Sequence, residues 1–181
     1  MPLANPKTNP DLKIFLVGFM GTGKTTLGRL LAERIGWVFF DLDALMEEVE
    51  GATIMRIFIE KGEPYFRALE SSTIARLAAH PGHAVIASGG GTFCTPQNQA
   101  VMLQRGVTVW IDQPFDQVWQ RRDELALRRP LLRGEPAFRA LYEQRVPFYH
   151  LASLRLRVDE GALPQAVNEL VRLLEERFAV V

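Results

Sequence analysis

The stretch GFMGTGKTT, Gly18–Thr26, closes the apolar run KIFLVG and has the residue types that hold phosphate. Gly18, Gly23, Lys24 and Thr25 complete the pattern G-x-x-x-x-G-K-[ST], with Gly21 inside it. Glycines let successive backbone N–H groups turn inward around phosphate oxygens. A helix starting near Lys24 would aim its positive end at the same anion. Lys24 can reach the β- and γ-oxygens of a nucleotide, and the Thr25 hydroxyl can ligate Mg2+. A plain strand-to-helix turn would use the glycines but would need neither Lys24 nor Thr25.

Further along, DLD places Asp41 and Asp43 two apart at a strand end, on one face. Two carboxylates there repel unless a cation or donor lies between them. Mg2+ beside the phosphate loop would serve, directly or through water. The other carboxylate could then orient the hydroxyl that attacks in a phosphoryl transfer. The competing assignment is that Asp43 merely N-caps the next helix. In GEPYFRALE, Glu63 and Glu70 lie four before and three after Arg67, so both are its helical neighbours. This could be a surface ion-pair network, or Glu70 could fix the Arg67 fork for a bidentate grip on an anion. The triple glycine of SGGGT, Gly89, Gly90 and Gly91, carries an entropic cost. After a strand it suggests close approach of backbone to a ligand, or a tight crossing of two segments. RRPLLRG, Arg128–Gly134, interrupts the helical pattern. An arginine-bearing segment there could neutralise developing charge and exclude water, or be a solvated basic loop. Arg145, in EQRVPFY, is a further candidate anion grip, though read alone it would be an ordinary surface arginine.

The elements that must position these residues alternate along the chain. Strands are expected at KIFLVG, WVFFDLD, HAVIAS, VTVWID and LRLRVD. Helices are expected over 24–35, at ALMEEVEG, at TIMRIFIEKG up to Gly62, and from Pro64 to His80. Others follow over 96–105, from Pro114 to about Leu125, over 135–151 with an interruption at Pro147, and over 164–178. Strands separated by helices make an α/β fold: a five-stranded parallel sheet between two helical layers. Ligands in such sheets sit beyond the carboxyl ends of the strands. The first loop, DLD and GGG all follow strand ends and should converge.

The chain of 181 residues suits one domain, 12–181, behind a flexible arm, 1–11. Lys plus Arg equals Asp plus Glu at 21 each, which disfavours a nucleic-acid partner. No apolar stretch is long enough for a membrane span. A single cysteine, Cys94, fits a reducing compartment, so the expected location is the cytoplasm. Cys94 and His150 are assigned no chemistry. His80 and His83, bracketing PG, are expected to be solvated turn residues. Trp110 and Phe148 are expected to pack rather than stack on a base.

Taken together, GFMGTGKTT, FFDLDALME, IFIEKGEPYFRALE, SGGG, RRPLL and RVPFY resemble the shikimate kinase family, from about Lys13 to Leu174. The resemblance implies P-loop kinase topology with a lid at about 123–135. It implies ATP-dependent phosphorylation of the 3-hydroxyl of shikimate, in aromatic amino-acid synthesis. The chain is expected to be a monomer. Gly21, Thr22, Gly23, Lys24, Thr25 and Thr26 would wrap the ATP phosphates. Thr25 would bind Mg2+, with Asp41 reaching the ion through water. Asp43 would hold the acceptor hydroxyls and either accept the proton or only orient the hydroxyl, with Lys24 and Arg129 as the other catalytic residues. Arg67 and Arg145 would clamp the carboxylate, with Glu70 orienting Arg67, and Gly89, Gly90 and Gly91 would offer backbone to the substrate. Phe58 and Phe66 would line the ring, Arg122 and Pro164 would sandwich adenine, and Arg129 would come down on the phosphates. DELALR, before RPLL, has no glycine for a hinge, and Arg128 could stand in for Arg129. A gluconate kinase and a nucleotide-binding module without catalysis are the rival assignments. GEPYFR with SGGG argues against the first, and intact Lys24, Thr25, Asp41 and Asp43 against the second.

Overall fold

Strand β1 (Lys13–Val17) is buried along its whole length, and its alternation divides the core in two. Phe15 and Val17 face one layer, and Ile14 and Leu16 face the other. The computed structural model describes residues 9–121, 134–159 and 162–180. After β1 come α1 (Lys24–Ile35), β2 (Val38–Asp41), α2 (Leu42–Glu50), α3 (Ile54–Ala78) and β3 (Ala84–Ala87). A single 3-10 turn, Thr92–Cys94, leads to α4 (Pro96–Arg105), β4 (Gly106–Asp112) and α5 (Phe115–Gln120). The chain ends with α6 (Gly134–Tyr149), β5 (Leu154–Arg157) and α7 (Leu163–Phe178). The five strands are all parallel, in the order β2-β3-β1-β4-β5.

One layer packs Leu27 and Leu31 of α1 and Leu170 and Leu174 of α7 on the sheet. The other brings Met46, Ile57, Phe66, Ile74, Met102, Val118, Phe138 and Tyr149 from α2 to α6. Because β1 lies centrally and the order changes direction beside it, the loop after β1 opens where the flanking helices diverge. That crevice is where ligands sit in open α/β sheets.

The break expected at Gly62 is present: α3 is two helical stretches joined at a kink where Gly62 takes φ 79° and ψ 169°. Gly62 supplies the left-handed φ and Pro64 restarts the helix. Two other local expectations are corrected. α6 runs through Pro147 to Tyr149 without a break. Proline forfeits one helical hydrogen bond, and burial of Phe138 and Tyr149 on the same helix holds the rest in place. His80 is exposed as expected, with its ring edge-on to Phe40 at 5.1 Å, but His83 is half-buried and stacks on Trp37 at 4.5 Å. The predicted continuation of α5 to Leu125 and most of the predicted lid lie outside the described residues.

Candidate active site

The phosphate loop takes left-handed backbone at Gly18, Gly21 and Gly23, with φ of 137°, 76° and 81°. A Cβ on Gly18 would fall 2.7 Å from the Ile111 carbonyl oxygen, so glycine is required there for space as well as for φ. Lys24 is buried and folds back over the loop. Its Nζ donates to the carbonyls of Gly18 at 2.9 Å and Phe19 at 2.6 Å, and to Thr22 Oγ1 at 3.4 Å. Helix α1 begins at Gly23 with no side-chain cap and no acidic residue in its first turn. Its leading N–H groups are thereby left for an anion. Thr26 lies exposed in that first turn.

The Thr25 hydroxyl donates to Asp41 Oδ2 at 2.6 Å, joining the phosphate loop to the end of β2. Asp41 Oδ1 accepts from the Ala44 N–H at 3.1 Å, so Asp41, not Asp43, is the N-cap of α2. This removes the capping explanation for Asp43, which sits in the first turn of that helix. Thr25 and Asp41 offer hard oxygens at one point, a donor set that suits Mg2+. Among the described residues no group of three or more His, Cys, Asp or Glu side chains could hold a metal. Mg2+ needs none, because phosphate and water oxygens usually complete its shell.

The opposite side of the crevice is cationic. Arg67 donates from Nη1 to Glu70 Oε2 at 2.8 Å, and from Nε and Nη2 to Glu63 Oε1 at 3.3 and 3.2 Å. Burial pulls the Arg67 guanidinium down, but the charges and hydrogen bonds of Glu70 and Glu63 outweigh it and hold the group above its usual value. Glu70 itself is 1 % exposed, and its other oxygen accepts from Thr92 Oγ1 at 2.5 Å. Arg145 is also buried, at 7 % exposure. Its Nη1 has no hydrogen-bond acceptor among the described residues. Phe66 is buried against the half-buried Phe58, their ring centroids 5.0 Å apart, and the Arg67 guanidinium lies 5.2 Å from the Phe66 centroid.

The triple glycine is where these groups meet. A Cβ on Gly89 would lie 2.9 Å from Glu70 Oε1 and 3.2 Å from Asp43 Oδ1. On Gly90 it would lie 3.0 Å from the Met20 nitrogen of the phosphate loop, and on Gly91 2.9 Å from Arg67 Nη1 and 3.3 Å from Arg145 Nη2. The Gly90 carbonyl accepts from Tyr149 Oη at 2.5 Å. The glycines thus let a carboxylate pair, two guanidiniums and the phosphate loop converge on one bare stretch of backbone. Cys94 lies beside this cluster. Burial raises its thiol above the ordinary value, and the field of Arg145 partly offsets that.

On the far flank of the loop, α7 begins against α1. A Cβ on Gly23 would touch Leu163 Cδ2 at 3.5 Å. Pro164 lines a groove of about 550 Å³ with Leu30, Glu33, Arg34, Val167 and Asn168. Arg122, Arg128 and Arg129 lie outside the described residues. Sequence reasoning missed Thr92, Tyr149 and Met20. Thr92 follows the triple glycine directly, but its partner is 22 residues away in sequence, so no local spacing signals the contact.

The shikimate kinase family model matches residues 20–175. A shikimate kinase of Synechococcus elongatus is 41% identical over 167 residues, spanning 91% of this chain and 85% of that relative. The solved structure of Acinetobacter baumannii shikimate kinase in complex with shikimate superposes with a TM-score of 0.84 at 36% identity. It covers 94% of this chain and 97% of that one. A gluconokinase from Sinorhizobium meliloti, covering 92% of this chain and 95% of its own, is 16% identical with a TM-score of 0.53, a likeness of fold alone.

Proposed function

The chain belongs to the shikimate kinase family, and from that premise we infer that it phosphorylates the 3-hydroxyl of shikimate with ATP, giving shikimate 3-phosphate and ADP. The observation that carries the assignment of its residues is the meeting at Gly89–Gly91. Two guanidiniums, Arg67 and Arg145, stand beside Gly91, Asp43 stands beside Gly89, and the phosphate loop lies against Gly90.

A small acid held at its carboxylate by Arg67 and Arg145 presents its hydroxyls toward Asp43 and the loop. The buried Arg145 Nη1 supports this, because a carboxylate supplies the acceptor it lacks within the described residues. Glu70 keeps the Arg67 fork in one orientation, and Phe58 and Phe66 cover the apolar side of the ring. Asp43 accepts the hydrogen bond of the 3-hydroxyl and directs its oxygen at the γ-phosphorus. That oxygen bonds to phosphorus as the bond to the β–γ bridging oxygen breaks, ADP leaves, and the hydroxyl proton passes to the Asp43 carboxylate that holds it. A loose transition state asks mainly for such alignment. Gly21 to Thr26 hold the phosphates, and Lys24 exchanges its carbonyl partners for phosphate oxygens as the nucleotide enters. Bound Mg2+ would neutralise charge between the phosphates, with Thr25 as its direct ligand and Asp41 behind a water. Arg129 is assigned to the transferring phosphoryl group, and Arg122 with Pro164 to the adenine. We place the enzyme in the cytoplasm, and as a monomer, since one chain supplies both sides of the crevice.

The test is ADP release from purified protein and MgATP with shikimate, shikimate lacking its 3-hydroxyl, gluconate and nucleoside monophosphates. Release with shikimate alone is expected. Release with gluconate alone, or silence throughout, overturns the assignment.

A further inference from the structure

Glu70 aims Arg67, but a carboxylate on a helix can rotate about its last bond and must itself be held. Its two oxygens are divided between two donors: Oε2 takes Arg67 Nη1 at 2.8 Å and Oε1 takes Thr92 Oγ1 at 2.5 Å. Thr92 is 0 % exposed and is pinned by its own backbone, its N–H donating to the Gly89 carbonyl at 3.2 Å. The hydroxyl therefore approaches Glu70 from a fixed point on the turn that follows the glycines. With Oε1 occupied, Glu70 meets the guanidinium through one oxygen only. Were Oε1 released, Glu70 could turn both oxygens to the fork. The two-pronged pairing that guanidinium and carboxylate favour would then compete with a substrate for the same N–H donors.

We propose that Thr92 is a positioning residue of the acid clamp: its hydroxyl locks Glu70 so that Arg67 keeps donors for the substrate carboxylate. The proposal rests on the shikimate assignment above. It differs from simple satisfaction of a buried carboxylate in one respect. The hydroxyl should matter only for ligands that carry the charge Arg67 grips.

The experiment compares Thr92→Val, which keeps branching and volume but loses the donor, with Thr92→Ser, which keeps the donor. Thr92→Ala is included because Ala and Ser differ by the hydroxyl alone, should the valine variant fail to fold. The expected result for Val and Ala is a shikimate KM and calorimetric Kd raised on the order of tenfold, the scale of one hydrogen bond to a buried charge. The ATP KM and the kcat at saturation should stay within about twofold, and Ser should restore wild-type values. With the neutral carboxamide of shikimate as ligand, the wild-type and Ala or Val affinities should agree within about twofold. A penalty equal for acid and carboxamide, a matching rise in the ATP KM, or a Ser variant as weak as Ala overturns the proposal. Wild-type protein that turns over no shikimate overturns the functional assignment instead.

Discussion

Two buried cations stand at opposite ends of the central strand region, and they are treated differently. Lys13 opens β1 with no exposure and donates to the Asp11 carbonyl at 2.5 Å and the Gly82 carbonyl at 2.7 Å. The Gly82 N–H returns a bond to Asp11 Oδ1 at 2.6 Å, closing the amino-terminal edge of the sheet. Burial lowers the Lys13 ammonium below its usual value, the Asp11 charge draws it part of the way back, and Arg105 lowers it further. Arg145, beyond the carboxyl edge, is nearly as buried, yet its Nη1 meets no acceptor among the described residues, and its guanidinium lies 5.7 Å from the Phe19 ring centroid. A buried charge partnered by its own backbone does structural work. A buried donor without such a partner carries a desolvation cost, which the substrate carboxylate proposed above would offset.

That contrast can be broken most directly at Arg145. Arg145→Met should lower kcat/KM for shikimate by roughly 10²–10³-fold, the scale of truncating one partner of a buried charged contact. Its melting temperature without substrate should hold or rise, because a costly buried charge is gone. A variant that unfolds while keeping its shikimate kinetics would reverse the roles assigned to the two cations. Lys13→Met should do the opposite: lose about 1–3 kcal/mol in urea unfolding, since two carbonyls lose their donor, with steady-state constants unchanged. Shikimate at 100 times its Kd should stabilise the wild type by about 2.7 kcal/mol. The same concentration should leave Arg145→Met nearly unmoved in thermal scans.

The smallest effect concerns Cys94. Its thiol is raised in the folded state, so the unfolded chain releases that proton first as pH climbs. The folded protein then binds more protons, and the thiol's contribution to stability is full below the ordinary thiol value and lost as pH rises through the folded one. Wild type minus Cys94→Ser, by urea titration between neutral and about pH 10, should show this shallow decline. Removing the nearby cation in Arg145→Met should move the decline to higher pH, and no movement would separate the thiol from the clamp.

The fold was legible because its signals are local. Apolar runs, helical spacing and Gly or Pro at boundaries set five strands and most helix ends, and the phosphate loop, acidic pair and triple glycine each lie within a few residues. Errors arose where packing outweighed a local rule, as at Pro147, where α6 continues, and at His83, whose ring finds Trp37. Arg145 looked like any surface arginine because burial is not written in neighbouring residues. Thr92 passed unnoticed because its hydroxyl has meaning only opposite Glu70.

Residue type and spacing alone determined that this chain makes a parallel sheet and carries a glycine-rich loop closed by Lys24 and Thr25 after its first strand, and the resemblance of its motifs added the shikimate kinase family. Backbone dihedral limits and side-chain chemistry act within a few residues, so a single strand of letters records them. Which arginine is buried, which aspartate caps α2, and which hydroxyl steadies Glu70 were decided only when distant segments met across the carboxyl edge of the sheet. Desolvation and hydrogen-bond geometry depend on three-dimensional neighbours, and the folded chain supplies them.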